Sequence, residues 1–214
     1  MPQPDSPDIS ERYRGAKFCT LVTAAQHPFA SDPRLARLKH WCREFHERGL
    51  APPYDGGSYG NLSYRFNEFS PRFVITASNS GLADSCSDDR FVLVDSIDFE
   101  ANTVQVTGTR EPSSESLVHY GIYCRRPDVM AVLHGHCPLI SRTADALGIP
   151  VTHARQPYGT TALLNSVLDV LAGAWFVEMR GHGFLSLGTS IDDAGERAAA
   201  LLLQAGECTA PSPG

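Results

Sequence analysis

Two histidines close an apolar run in Val132-Leu133-His134-Gly135-His136-Cys137-Pro138. Residues 129–133 read as a buried strand, and in a strand residues i and i+2 share a face. Both imidazoles therefore converge on one spot, which is half of a transition-metal site. A third candidate, His182, stands in Arg180-Gly181-His182-Gly183, a tight turn whose glycines let backbones approach closely. Three imidazoles leave a coordination position open for substrate, the pattern of a catalytic zinc site. A structural site would use four protein ligands rich in cysteine. Taken alone, the His134/His136 pair fits core or surface histidines equally well. Cys137 follows His136 directly and points to the other face of the strand, so it is left out of the ligand set.

Upstream, Pro112-Ser113-Ser114-Glu115 precedes an apolar stretch. A helix predicted to start at Ser113 or Ser114 would offer unpaired N–H groups and a partial positive charge to an anion. Two serine hydroxyls add donors that suit a phosphate or carboxylate. Read without context, the same residues are an ordinary helix cap with a first-turn glutamate. Gly56-Gly57-Ser58-Tyr59-Gly60-Asn61-Leu62-Ser63 is a glycine-rich loop entering a strand, where backbone N–H groups and the Asn61 amide can cradle an anion. It lacks the GKS/GKT ending of a P-loop and is not GxGxxG. Thr76-Ala77-Ser78-Asn79-Ser80-Gly81 is a second hydroxyl-rich loop, again following a strand. Each of these loops alone is more often a plain turn.

The elements that must position these residues follow from punctuation and periodicity. Asp32-Pro33 opens a helix with Asp at the N-cap and Pro at N1, running to about Arg48 and ending at Gly49. Leu35, Leu38, Trp41, Cys42 and Phe45 recur at helical spacing on its core face. Residues 51–59 read as a Pro/Gly-rich loop. Short strands are predicted at 18–22, 62–66, 73–77, 91–95 and 103–107. A helix ends near Arg126, before Pro127. Then come strand 129–134, a helix to about Leu147, a helix 160–171, strands 174–179 and 183–188, and a helix 190–205. Strands cluster first and helices interleave later, which predicts an α/β layered domain with a mixed or mainly antiparallel sheet. The organisation expected is a loose arm over 1–15, one domain over 16–205 and a frayed tail over 206–214.

The chain has 214 residues, 42% hydrophobic and 20% charged, enough apolar residues for one sizeable core. The net charge of -6 and the absence of a basic block argue against nucleic acid as a partner. No apolar run approaches the roughly 18 residues of a membrane span, and the polar N-terminus does not read as a secretory signal. Six cysteines are scattered without a CxxC pair. That pattern predicts reduced thiols and a cytoplasmic setting.

Together these weak signals form a series. Gly60-Asn61-Leu62-Ser63-Tyr64-Arg65, then Ile75-Thr76 with its hydroxyl loop, then Pro112-Ser113-Ser114-Glu115 with His119, Tyr123 and Arg126-Pro127-Asp128 follow in order. Next come His134-Gly135-His136, Pro157-Tyr158-Gly159-Thr160, and Gly181-His182-Gly183 with Gly188 and Ala194. From about Leu50 to Ala205 this order resembles the class II aldolase/adducin family, with its sugar-phosphate aldolases and epimerases. The resemblance implies a three-layer α/β/α fold. It implies a divalent metal, usually Zn2+ (with Mn2+, Co2+, Ni2+ or Fe2+ as alternatives), held by His134, His136 and His182. Glu115 maps onto the family's catalytic acid/base. Gly60, Asn61, Ser113 and Ser114, together with Ser80 and Gly81, map onto its phosphate contacts. A homotetramer with active sites between subunits is also implied.

The expected chemistry is that of a metal-dependent lyase of aldolase type, acting on a small hydroxy-carbonyl compound that carries a phosphate. Breaking or forming a C–C bond beside a carbonyl builds negative charge, which a neighbouring cation stabilises. Glu115, if desolvated, would have a raised pKa and shuttle the proton. A decarboxylase, epimerase or dehydratase of the same superfamily could use the same centre. The adducin branch offers a non-catalytic interaction module instead, but it lacks the metal ligands present here. Three departures stand out. The hydroxyl loop carries two residues more than the family's usual ITPSG. The stretch from His136 to Pro157 is short and has no match for the aldolases' tyrosine proton donor, so Arg155, Gln156 or Tyr158 are the candidates to line the pocket there. The chain also ends soon after the last helix, where those aldolases carry a second tyrosine.

Overall fold

The computed structural model describes residues 15–84 and 87–209. The element order begins with β1 (Cys19–Ala24), α1 (Pro33–Glu47), β2 (Pro53–Tyr54), β3 (Gly57–Ser58), β4 (Gly60–Arg65), β5 (Phe73–Thr76), β6 (Phe91–Asp98) and β7 (Thr103–Thr107). It continues with α2 (Ser116–Arg125), β8 (Ala131–Gly135), α3 (Pro138–Thr143), α4 (Thr161–Leu171), β9 (Phe176–Met179), β10 (Gly183–Gly188) and α5 (Ile191–Thr209).

Alternation along the strands decides the layering. In β8, Ala131 and Leu133 face one core while Val132 faces the other. In β6, Phe91 and Leu93 take the first side and Val92 and Val94 the second. Both sides being apolar, the sheet needs a cover on each face. The first core is closed by α1, α3 and α5, through residues such as Leu38, Phe45, Ile140 and Ala198. The second is closed by α2 and α4, through Leu117, Ile122, Leu163 and Val167. The result is a three-layer α/β/α fold. Its eight-stranded sheet runs β1-β7-β6-β5-β4-β8-β10-β9. Only β1 pairs in parallel, against β7; the other neighbours are antiparallel. The mixed, mainly antiparallel sheet expected from the sequence is therefore present.

Local chemistry explains the boundaries. Asp32 accepts from the Arg34 amide at 2.9 Å, with Pro33 at the first turn, so α1 starts where its residue types predict. Several strands begin or end one to three residues away from expectation, and four further differences have a visible local cause. The loop over 51–59 contains the β2–β3 hairpin, turned by Asp55-Gly56. The second helix starts at Ser116, with Glu115 as its N-cap residue; Ser113 and Ser114 lie before it in a turn in which the Ser116 amide donates to the Ser113 carbonyl at 3.0 Å. Helix α3 ends at Thr143, six residues long, where the Thr143 hydroxyl bonds back to the Leu139 carbonyl at 2.9 Å. The last helix does not fray at Gly206 but runs on to Thr209, whose hydroxyl donates to the Gly206 carbonyl at 3.0 Å. The N-terminal arm, except Gly15, and residues 210–214 lie outside the described residues. Cys19, Cys124, Cys137 and Cys208 form no disulfide.

Candidate metal centre and active site

Three strand ends meet where the site forms. Asn61 in β4 lies opposite His134 in β8, and His134 lies opposite Leu185 in β10. The β9–β10 turn brings His182 over the same edge, its amide donating to the Met179 carbonyl at 2.9 Å. Two glycines make this convergence possible. A Cβ on Gly60 would stand 2.7 Å from the His134 carbonyl oxygen, and Gly60 has φ +137. At Gly183, φ +156, a Cβ would run into the Gly135 carbonyl and lie 3.2 Å from His134 Cε1.

The three imidazoles predicted from the sequence are brought together, with one ligand atom from each within 4.8 Å of the others. His134 Nε2 and His136 Nε2 are 3.0 Å apart, near the roughly 3.3 Å expected for two nitrogens on one tetrahedral zinc ion. The Phe184 carbonyl lies 2.8 Å from His134 Nδ1 and can only accept, so Nδ1 carries the proton. That leaves Nε2 aimed at the centre, as in histidines oriented by a backbone carbonyl to hold metal. The donor set fits a divalent ion. Cys137 packs in the first core and also lines the cavity, but it is not part of the cluster of ligand atoms.

Glu115 enters from the start of α2. Its Oε2 lies 2.9 Å from His134 Nε2 and its Oε1 contacts His182 Nε2. The Asn61 amide donates to Oε2 at 3.1 Å. Burial alone would push this carboxyl up, as the sequence reading expects. Here the electrostatic pull and hydrogen bonds of the neighbouring His134 and His182 rings outweigh burial and hold it well below the usual carboxylate range. The expectation that desolvation leaves it raised is thereby corrected: the two histidines beside it reverse the direction. Burial lowers His134, yet the Glu115 carboxylate beside it raises it overall. Burial drives His136 well below the ordinary value, and its two neighbouring histidines add to this.

A cavity of about 240 Å³ opens over the centre. Gly60, Asn61, Ser80, Ser113 and Ser114 line it, as the sequence pattern expects, and so do Arg155 and Tyr158. Gly81 and Gln156 do not. At Gly81 the chain turns into a 3-10 turn, its carbonyl accepting from the Asp84 amide at 3.1 Å. The sequence reading missed Pro52, Tyr54 and Tyr59, which also line the cavity. Their signal was Asp55-Gly56 between two aromatic-bearing segments, a hairpin cue that places both tyrosines together.

Behind the centre runs a buried polar chain. Ser63 Oγ lies 2.7 Å from His119 Nδ1 and 2.8 Å from the Tyr123 hydroxyl. Burial pulls His119 down to about 3 against the pull of Glu115, so the ring is neutral at neutral pH. On the far side of β8, Glu178 is buried in β9, and burial pushes its carboxyl up to about 7.

Known proteins resemble this chain in sequence and in fold. Over 154 residues the chain is 31% identical to the 5-methylthioribulose-1-phosphate/5-deoxyribulose-1-phosphate aldolase of Rhodospirillum rubrum, covering 64% of this chain and 65% of that protein. The match thus spans just under two thirds of that relative's own length. It is 30% identical to the methylthioribulose-1-phosphate dehydratase of Methylococcus capsulatus, over 78% of this chain and 89% of that one. The structure of an L-fuculose 1-phosphate aldolase superposes with a TM-score of 0.63 at 22% identity, covering 85% of this chain and 90% of that one, a likeness of fold. Residues 36–203 match the family described as Class II Aldolase and Adducin N-terminal domain. The chain belongs to the class II aldolase and adducin family.

Proposed function

We propose that the protein is a metal-dependent lyase of aldolase type that cleaves or forms a C–C bond beside a carbonyl in a small phosphorylated, sugar-like substrate. The observation that carries this reading is the meeting of His134, His136, His182 and Glu115 at the floor of one hydroxyl-lined cavity. An adducin-like scaffold has no need of such a set.

His134, His136 and His182 would hold the ion, and zinc suits three imidazoles with an open position. When bound, the ion supplies Lewis acidity to the substrate's carbonyl and hydroxyl oxygens. Ser113 and Ser114, with Ser80, Gly60 and Asn61, offer hydroxyl, amide and backbone donors for the phosphate. Glu115 is placed to accept or return the proton at the carbon beside the carbonyl once its hold on the imidazoles is released. Asn61 orients it through the bond to Oε2. The homotetramer and the cytoplasmic setting implied by the resemblance belong to the same proposal; a monomer in light scattering would contradict a site shared between subunits.

A second reading, a dehydratase on the same centre, is favoured by the Methylococcus relative, whose match spans 89% of its length. A decarboxylase or epimerase would use the same residues. Product analysis separates them. Metal-loaded protein is mixed with ketose 1-phosphates and keto acid phosphates, and products are identified by mass spectrometry. A carbonyl pair from one substrate supports the aldolase. Loss of water or release of CO₂ without such a pair overturns it.

A further inference from the structure

One face of β4 is joined to α2 by polar rungs. Leu62 and Tyr64 pack in the first core, so Asn61, Ser63 and Arg65 point to the side that α2 covers. The Asn61 amide donates to Glu115 Oε2 at 3.1 Å. Ser63 Oγ lies 2.7 Å from His119 Nδ1. Arg65 Nη2 donates to the Tyr123 carbonyl at 2.7 Å. Each step of two residues along β4 thus meets a step of four along α2. The lengths agree, since two strand residues rise about 6.7 Å and four helix residues about 6 Å. Strand and helix stay in step, and the rungs fix the place of α2 along β4. The middle rung is buried on both sides. The His119 ring stacks on Phe73 of β5, with centroids 6.1 Å apart, and its Nε2 has no partner. Ser63 is therefore the group to which the imidazole is tied. The Glu115 side chain does not cap α2, so the place of that helix sets how far the carboxylate reaches over the centre. The serine before it has a second anchor. The Ser113 amide donates to the Thr76 carbonyl at 3.2 Å, and Pro112 bridges to Ala77.

We propose that Ser63 and His119 are positioning residues for Glu115: their bond holds α2 at the place along β4 that brings the Glu115 carboxylate to the reacting carbon. This rests on the proposed acid/base role of Glu115. His119 stands one helical turn from Glu115, so a shift at the rung is passed to the helix start. A proton acceptor about 1 Å out of place loses about 10²-fold in rate. Ser113 is held from β5 as well, so loss of the rung acts on the proton step more than on phosphate binding.

The test is a set of variants read by crystallography and by steady-state kinetics of the zinc-loaded enzyme. His119→Leu keeps the bulk and removes the bond to Ser63. His119→Asn keeps the bond, because its amide atoms, like Nδ1, are attached to Cγ. The Glu115 carboxylate should move by about 1 Å or more in His119→Leu and stay within about 0.5 Å of its wild-type place in His119→Asn. The kcat of His119→Leu should be about 10²-fold lower with KM little changed, and His119→Asn should restore most of it. In a Glu115→Gln background, His119→Leu should lower kcat no further. Ser63→Ala breaks the same rung from β4 and serves if His119→Leu fails to fold. An unmoved Glu115 in His119→Leu overturns the proposal. So does a loss of kcat that is equal with and without Glu115→Gln, which would make His119 a residue that only supports the fold. If the wild type turns over no phosphorylated hydroxy-carbonyl substrate, the proposed function falls, and the position of Glu115 in the crystals still decides whether the rung places it.

Discussion

Strand β4 carries two buried polar groups four residues apart on one face, and they end differently. Arg65 makes four hydrogen bonds to backbone carbonyls. Its Nε donates to the Val129 carbonyl at 2.9 Å, Nη1 to Ser70 at 2.7 Å, and Nη2 to Tyr123 at 2.7 Å and Arg126 at 2.9 Å. Asn61, at the other end, gives one hydrogen bond to Glu115 and leaves its Oδ1 buried without a partner. Around it, imidazole nitrogens face one another and a carboxylate. A closed shell of carbonyls around a cation builds structure. An open set of donors around a gap accepts a ligand. Buried polarity alone therefore does not mark the functional end of the strand; incomplete pairing does.

Four perturbations would break or sharpen this contrast, the largest first. Glu115→Gln should lower kcat by about 10²- to 10⁴-fold while metal content, read by elemental analysis, is retained. Unchanged kcat would remove Glu115 from the chemistry. Arg65→Met should leave four carbonyls without their donor and cost about 3 kcal/mol in urea unfolding. The folded variant should still bind its full complement of metal. Loss of metal at unchanged stability would reverse the roles assigned to the two ends.

Glu178 lies between these extremes, buried with Oε2 unpartnered. From its ordinary 4.5 to about 7 the native chain holds a proton that the unfolded chain has released. Stability should therefore fall as pH rises through that window and level off above it, by about 3 kcal/mol in all. Glu178→Gln should remove that part of the slope, measured as the difference from wild type in unfolding across pH. An identical slope in the variant would mean that the carboxyl titrates normally. The smallest effect is expected for Asn61→Ala, about 10-fold in kcat/KM through the loss of one bond to Glu115, with little change in urea midpoint. A loss of stability as large as that of Arg65→Met would make Asn61 structural.

Much of this was readable from residue types. The His134/His136 pair needed only strand periodicity, and the His182 turn only its flanking glycines. The layered α/β class followed from the order of apolar runs. The rest depended on contacts between distant segments. Pairing of β1 with β7 and of β4 with β8 is set by tertiary packing, so the order of strands in the sheet was not legible. The environment of Glu115 was misread for the same reason. Burial was foreseeable, but the opposing charge comes from His134 and His182, far along the chain. The helix expected over 190–205 continues to Thr209, with Ala205 in the first core. Nothing in the local pattern around Arg65 told of its four carbonyl partners.

The central claim is that His134, His136 and His182 hold a divalent metal. The most direct measurement is elemental analysis of protein purified without chelator or metal-affinity resin, beside a His134→Ala/His136→Ala variant. The account predicts close to one transition-metal ion per chain in the wild type and less than about a tenth of that in the folded variant. No metal in the wild type after zinc is added back, or equal metal in both proteins, would contradict it.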